Sequence, residues 1–96
     1  MKRDQILELL AENKKILSAE FGVKELSLFG SMARDEAHDD SDLDVLVVFN
    51  GPATSKRYFG VQFYLEDLFG CNVDLVTDKA LRPEIRPHVE REAIRV

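Results

Sequence analysis

The sequence predicts one small α/β domain spanning residues 1–96, with a mixed β-sheet flanked by helices. Three observations carry that prediction. Apolar residues recur at helical spacing over 6–17 and again over 58–69. Short strand-forming runs stand at 23–29, 43–49 and 72–77, and the two kinds of pattern alternate along the chain. Ninety-six residues leave room for one hydrophobic core.

The first helix starts near Asp4 and sets Ile6, Leu9, Leu10, Asn13, Ile16 and Leu17 on one side, with Glu8, Glu12, Lys14 and Lys15 between them. It stops around Phe21-Gly22. A strand over Val23–Phe29 ends at Gly30-Ser31, where Ser31–Arg34 has room for one helical turn. The polar, acidic stretch Arg34–Ser41 reads as a loop. Leu43–Phe49 is the strongest strand, closed by the turn residues Asn50-Gly51-Pro52. Thr54 or Ser55 can cap a second helix in which Tyr58, Val61, Leu65, Leu68 and Phe69 repeat at three and four. Phe59 and Phe63 widen its apolar face, and Gly70 suits its C-terminal cap. Asn72–Thr77 is a third strand. Pro83 can open a short helix, whereas Pro87 interrupts any helix running through it. Ile85, Val89 and Ala93 line one side, and Ala93–Val96 ends the chain as a short edge strand.

Thirteen Lys and Arg against eighteen Asp and Glu give a net charge of −5, which argues against gripping nucleic acid directly or an anionic membrane. The single cysteine, Cys71, excludes an internal disulfide framework and a multi-cysteine zinc site. The opening Met1–Lys15 has no apolar core before its first acid, and no window approaches a membrane-spanning length. The chain reads as a cytoplasmic domain.

Six carboxylates, Asp35, Glu36, Asp39, Asp40, Asp42 and Asp44, fall in the ten positions 35–44. A solvated acidic loop accounts for the first four. It accounts poorly for Asp44, which lies inside a strand whose following residues are all apolar, because a buried carboxylate needs a partner. Asp42 and Asp44 project to the same strand face about 7 Å apart, a spacing that suits hard divalent cations. Asp74, between Val73 and Leu75, completes the cluster if its strand neighbours the first. Gly30-Ser31 supplies the complementary half: glycine allows a tight turn and close backbone approach, and Ser31 opens a helical turn whose N–H groups can face an anion. Phosphate cradle and metal site on one sheet end are what chemistry on a nucleoside triphosphate requires. Asp40–Asp44 begins like a calcium loop, but Val45 stands at the required glycine and Gly51 at the bidentate glutamate, so that motif fails. Neither a Walker A sequence nor a dinucleotide fingerprint is present. Cys71, His38 and His88 lack the partners of a nucleophilic site.

Leu28-Phe29-Gly30-Ser31, ten residues, then Asp42-Leu43-Asp44-Val45 resembles the signature of the polymerase-β-like nucleotidyltransferases. More narrowly it is similar to the minimal nucleotidyltransferases, the MNT antitoxins found beside HEPN-domain toxins. Asp74 matches the family's third carboxylate. Gly30-Ser31-Met32-Ala33-Arg34 looks like its opening, and Arg86-Pro87 through Glu92-Ala93 resembles its tail. Asp35 departs from the pattern, since many relatives carry glycine there. The resemblance implies the polymerase-β-like fold and transfer of a nucleoside monophosphate, commonly AMP from ATP, to a tyrosine hydroxyl on a HEPN toxin. It implies two Mg²⁺ ions, with Mn²⁺ able to substitute, held by the catalytic Asp42, Asp44 and Asp74. It also implies nucleotide binding by Gly30, Ser31 and Arg34. The alternatives are an antitoxin that only masks its toxin and, less favoured, a transferase acting on a small molecule of the aminoglycoside type.

Overall fold

The computed structural model describes residues 2–36 and 42–96; most of the expected acidic loop, including His38, Asp39, Asp40 and Ser41, lies outside the described residues. In chain order the elements are α1 (Arg3–Phe21), β1 (Val23–Phe29), α2 (Gly30–Ala33), β2 (Leu43–Phe49), α3 (Ser55–Phe69), β3 (Val73–Thr77), a 3-10 turn (Asp78–Ala80), α4 (Arg86–Glu92) and β4 (Ile94–Arg95). The strands form one sheet in the order β3-β2-β1-β4. β1 is antiparallel to both β2 and β4, while β2 and β3 run parallel, so the sheet is mixed. Parallel neighbours cannot be joined by a tight turn, and α3 is the crossover that joins them.

Strand alternation then separates two faces. Leu43, Val45, Val47 and Phe49 of β2 are buried, whereas Asp44, Leu46 and Val48 between them are half-buried. In register, Val45 and Val47 sit opposite Leu28 and Leu26 of β1, and Val45 also lies opposite Leu75 of β3. Against this face pack Ile6, Leu10 and Leu17 of α1 and Val61 and Leu65 of α3, all without solvent exposure. The one amide on the apolar side of α1 is satisfied at both ends. Asn13 donates to the Leu9 carbonyl (2.8 Å) and accepts from the Tyr64 hydroxyl of α3 (2.6 Å), which ties the two helices together.

Three local expectations are overturned. Phe59 (48% exposed) and Phe63 (62% exposed) do not widen the buried face of α3, and Ile16 (44% exposed) does not join that of α1. A helix lying on a sheet buries only a limited arc. Val61 and Leu65 fill it on α3, so Phe59 and Phe63 lie outside, stacked on each other at 6.1 Å. No helix runs through Pro87 from before it; Pro87 stands in the first turn of α4, where a missing N–H costs nothing. The segment after Pro83 is a turn, with the Ile85 and Arg86 amides both donating to the Arg82 carbonyl.

This orientation of α3 is testable by stability. Leu65→Ala should lower the unfolding free energy by about 2–5 kcal/mol, seen as a lower urea midpoint at unchanged slope. Phe63→Ala should change it by about 0.5 kcal/mol or less, as for a surface position. Equal losses would mean that the outer phenylalanines are packed.

Candidate active site

The alternation that buries Val45 turns Asp44 to the opposite sheet face, and the same holds for Asp74 beside Leu75. The parallel register then does what neither strand could do alone: it sets Asp44 and Asp74 directly side by side. On the other flank Asp44 pairs in register with Phe29, the last residue of β1. The chain then turns sharply at Gly30, whose φ of 75° lies in the left-handed region. Glycine is required here for a second reason. A Cβ at this position would overlap Oδ2 of Asp44 and stand 3.0 Å from its Cγ. The close backbone approach expected of this turn is therefore made by a carboxylate of the chain itself.

Asp42 lies exposed just before β2, whose start is held by the Leu43 amide donating to Asn72 (3.1 Å). Ser31 is half-buried in the single turn of α2. Asp35 adopts φ 59°, a left-handed conformation that glycine takes most freely; aspartate is among the few side chains that tolerate it. Arg34 is engaged elsewhere. Its Nη1 donates to both carboxylate oxygens of Glu92 on α4 at 3.0 Å, and its Nε to Glu36 at 3.1 Å. Glu92 was not foreseen, because a partner 58 positions away leaves no local signal.

The electrostatics are dominated by Asp44. Burial, then the charge of Asp74, a hydrogen bond with it, and the charge of Asp42 push its pKa from 3.8 up to about 6, with Arg34 opposing. A hydrogen bond between the two carboxyl groups needs a proton on one of them, which favours the protonated form of Asp44. An all-carboxylate donor set is what a hard divalent cation takes. Among the described residues no three acidic, histidine or cysteine side chains close into a ready ion cage. Cys71 is half-buried against the core, its thiol pushed up by burial and by the charges of Asp42 and Glu66, so it is not an activated nucleophile.

A sequence profile described as the nucleotidyltransferase domain matches residues 10–96. The chain belongs to this family. It is 40% identical over 93 residues to the protein adenylyltransferase MntA of Thermococcus cleftensis, covering 97% of this chain and 94% of that protein. A solved structure described as a provisional minimal nucleotidyltransferase superposes with a TM-score of 0.83 at 39% identity, covering 98% of this chain and 95% of that one. The same fold, at 18% identity and a TM-score of 0.60, is found in a complex of a tri-AMPylated Shewanella oneidensis HEPN toxin with its MNT antitoxin; the match covers 97% of this chain and 66% of that one. The mixed-sheet α/β architecture and the minimal-nucleotidyltransferase resemblance read from the sequence are both correct, and the protein is a nucleotidyltransferase.

Two predictions follow from the crowding at Asp44. In metal-free protein the folded state holds a proton on Asp44 that the unfolded chain has released, so stability falls as pH rises from about 4 through about 6 and then levels. The full shift would be worth on the order of 3 kcal/mol, and screening at this half-exposed position reduces it to about 1–2 kcal/mol. Asp44→Asn should remove that fall and be the more stable form at pH 8 by urea denaturation in EDTA. Gly30→Ala should lose about 1–2 kcal/mol from the left-handed backbone, plus the displacement of Asp44. It should therefore weaken ATP binding in calorimetry; unchanged affinity would mean that Gly30 is only a turn residue.

Proposed function

We infer that this protein is an antitoxin which transfers AMP from ATP to a tyrosine hydroxyl of a cognate HEPN-domain toxin and so silences it. The observation that carries the reading is the pairing of Asp44 and Asp74 beside the Gly30 turn. The likeness to protein adenylyltransferase MntA supports it over most of both chains. Residues 1–96 act as one catalytic domain, in the cytoplasm; among the described residues no helix is long and apolar enough to cross a membrane.

Asp42 and Asp44 would hold two divalent ions, Mg²⁺ or in its place Mn²⁺, with Asp74 sharing one of them. Such ions, when bound, neutralise the triphosphate and steady the charge on the attacking and leaving oxygens. The chain's own residues do the rest. Gly30 and Ser31 receive the β and γ phosphates at the turn, and Arg34 adds a positive charge on the same turn. Asp74 accepts the phenolic proton as the tyrosine oxygen bonds to the α-phosphorus. The bond from that phosphorus to the β-phosphate oxygen breaks, and its electron pair leaves with pyrophosphate. With a net charge of −5, the surface complements a basic partner.

Intact-mass spectrometry of the HEPN toxin after incubation with ATP and Mg²⁺ tests this reading. The parent protein should add one or more AMP residues. Asp42→Asn with Asp44→Asn should still bind the toxin and add none. If neither form adds mass and both neutralise the toxin equally, the protein works by masking.

A further inference from the structure

α3 packs on the sheet face opposite Asp44, and its outer side, away from the core, carries four residues in line. Lys56, Phe59, Phe63 and Asp67 follow one another at spacings of three and four, which sets them in one stripe along the helix. All four are exposed. At the middle of the stripe the stacked rings of Phe59 and Phe63 stand in water, a loss of apolar burial that a covering surface would recover. A lysine lies about one turn before them and an aspartate one turn after. Among the described residues neither charge makes an ion pair within its own chain. Beside the aspartate an open cavity of about 250 Å³ is lined by Tyr64, Asp67 and Leu68.

The stripe is complementary to its own reverse. The midpoint of Phe59 and Phe63 is Val61, and that of Lys56 and Asp67 falls between Val61 and Gln62. A two-fold axis set there, perpendicular to the helix, lays a second α3 antiparallel on the first. Phe59 then meets Phe63 of the second copy and Lys56 meets its Asp67, each contact being made twice as an isologous pairing requires. The cavity suits that lysine: Tyr64 and Leu68 receive the methylene stem while Asp67 takes the ammonium group. The geometry points to the outer face of α3 as a homodimer interface, occupied by a second copy of this chain in antiparallel register. A different partner would have to present base, apolar pair and acid in the reverse order, whereas a second copy does so by symmetry. Fifteen residues make a helix about 22 Å long and about 10–12 Å across, with side chains included. A contact of one such face falls short of the roughly 1,200 Å² of a stable interface, so the association is weak and depends on concentration. Asp44, Asp74 and the Gly30 turn lie on the other side of the sheet, so the two sites of the dimer face outward, each open to its own partner. The inference does not depend on the AMP-transfer reading.

Sedimentation velocity of the full chain at low ionic strength, over about 5–500 µM, tests the pairing. The mean mass should rise with concentration toward twice that of one chain. Phe63→Glu should raise the dissociation constant by about tenfold or more, because it buries an unpaired charge between the rings. At low micromolar concentration it should leave the urea midpoint and the ATP affinity unchanged. Lys56→Asp and Asp67→Lys should each weaken the dimer by setting like charges opposite one another. An equimolar mixture of these two variants should associate as the parent does, since only the mixed dimer then has opposite charges at both ends. A parent chain that stays monomeric at the highest concentration overturns the proposal. A dimer that Phe63→Glu leaves intact overturns it too, because another face must then hold it. A mixture of the charge variants no more associated than either alone rules out the antiparallel register. If Phe63→Glu instead abolishes binding of the HEPN toxin, the face belongs to that partner and the proposal falls.

Discussion

The parallel register of β2 and β3 is the constraint on which the rest depends. It places two carboxyl groups, Asp44 and Asp74, side by side on one sheet face. Parallel pairing demands the α3 crossover, and α3 must then be packed, with α1, on the opposite face of the sheet. That arrangement commits every second residue of β2 to a buried apolar side chain and frees the alternate positions for chemistry. Gly30 completes it, because any larger residue would stand where the Asp44 carboxylate lies.

α4 and β4 hold the far side of this face with few apolar contacts. Val89 is the one buried residue of α4, and β4 contributes two register pairs to β1. What fixes them is a set of ties to distant parts of the chain. Arg34 reaches Glu92, the Val96 amide donates to Leu26 (3.0 Å), and Lys14 donates to the Val96 carbonyl (2.8 Å). Exposed ion pairs contribute about 0–1 kcal/mol each, so their effect is on position more than on stability. The Arg34–Glu92 pair matters most in this respect, since it links the turn after Gly30 to α4.

Period and punctuation in the sequence account for most of the fold. The apolar run of Leu43–Phe49 closed by Asn50-Gly51-Pro52 and the cap residues Thr54 and Gly70 mark β2 and α3 without ambiguity. Periodicity does not say how wide a buried arc is, and Phe59 and Phe63 show the consequence: they match the helical repeat and still face outward. Pro87 shows a different gap, because proline at a helix start and proline inside a helix read alike until the start is known. For the site, Asp44 stands out locally as an acid among aliphatics, whereas its adjacency to Asp74 depends on strand order, which no local pattern contains. The Arg34–Glu92 pair is likewise a product of topology. It joins residues that nothing in the sequence brings together.

A domain of this size buries only about 60–65% of its unfolded surface, and small domains are stable by roughly 5–15 kcal/mol. Against that margin the repulsion at Asp44 is a substantial load, and replacing either acid with an amide would relieve it. Its cause is the half-buried, like-charged setting itself, so anything that supplies positive charge there binds the folded state in preference to the unfolded chain. The strain therefore has two aspects that cannot be separated. It lowers the stability of the free protein, and it raises the affinity of the folded site for any cation that relieves it. Leu46 and Val48, half-buried further along the same strand face, carry no such load, which is why that face of β2 can be charged and strained at one end and aliphatic at the other.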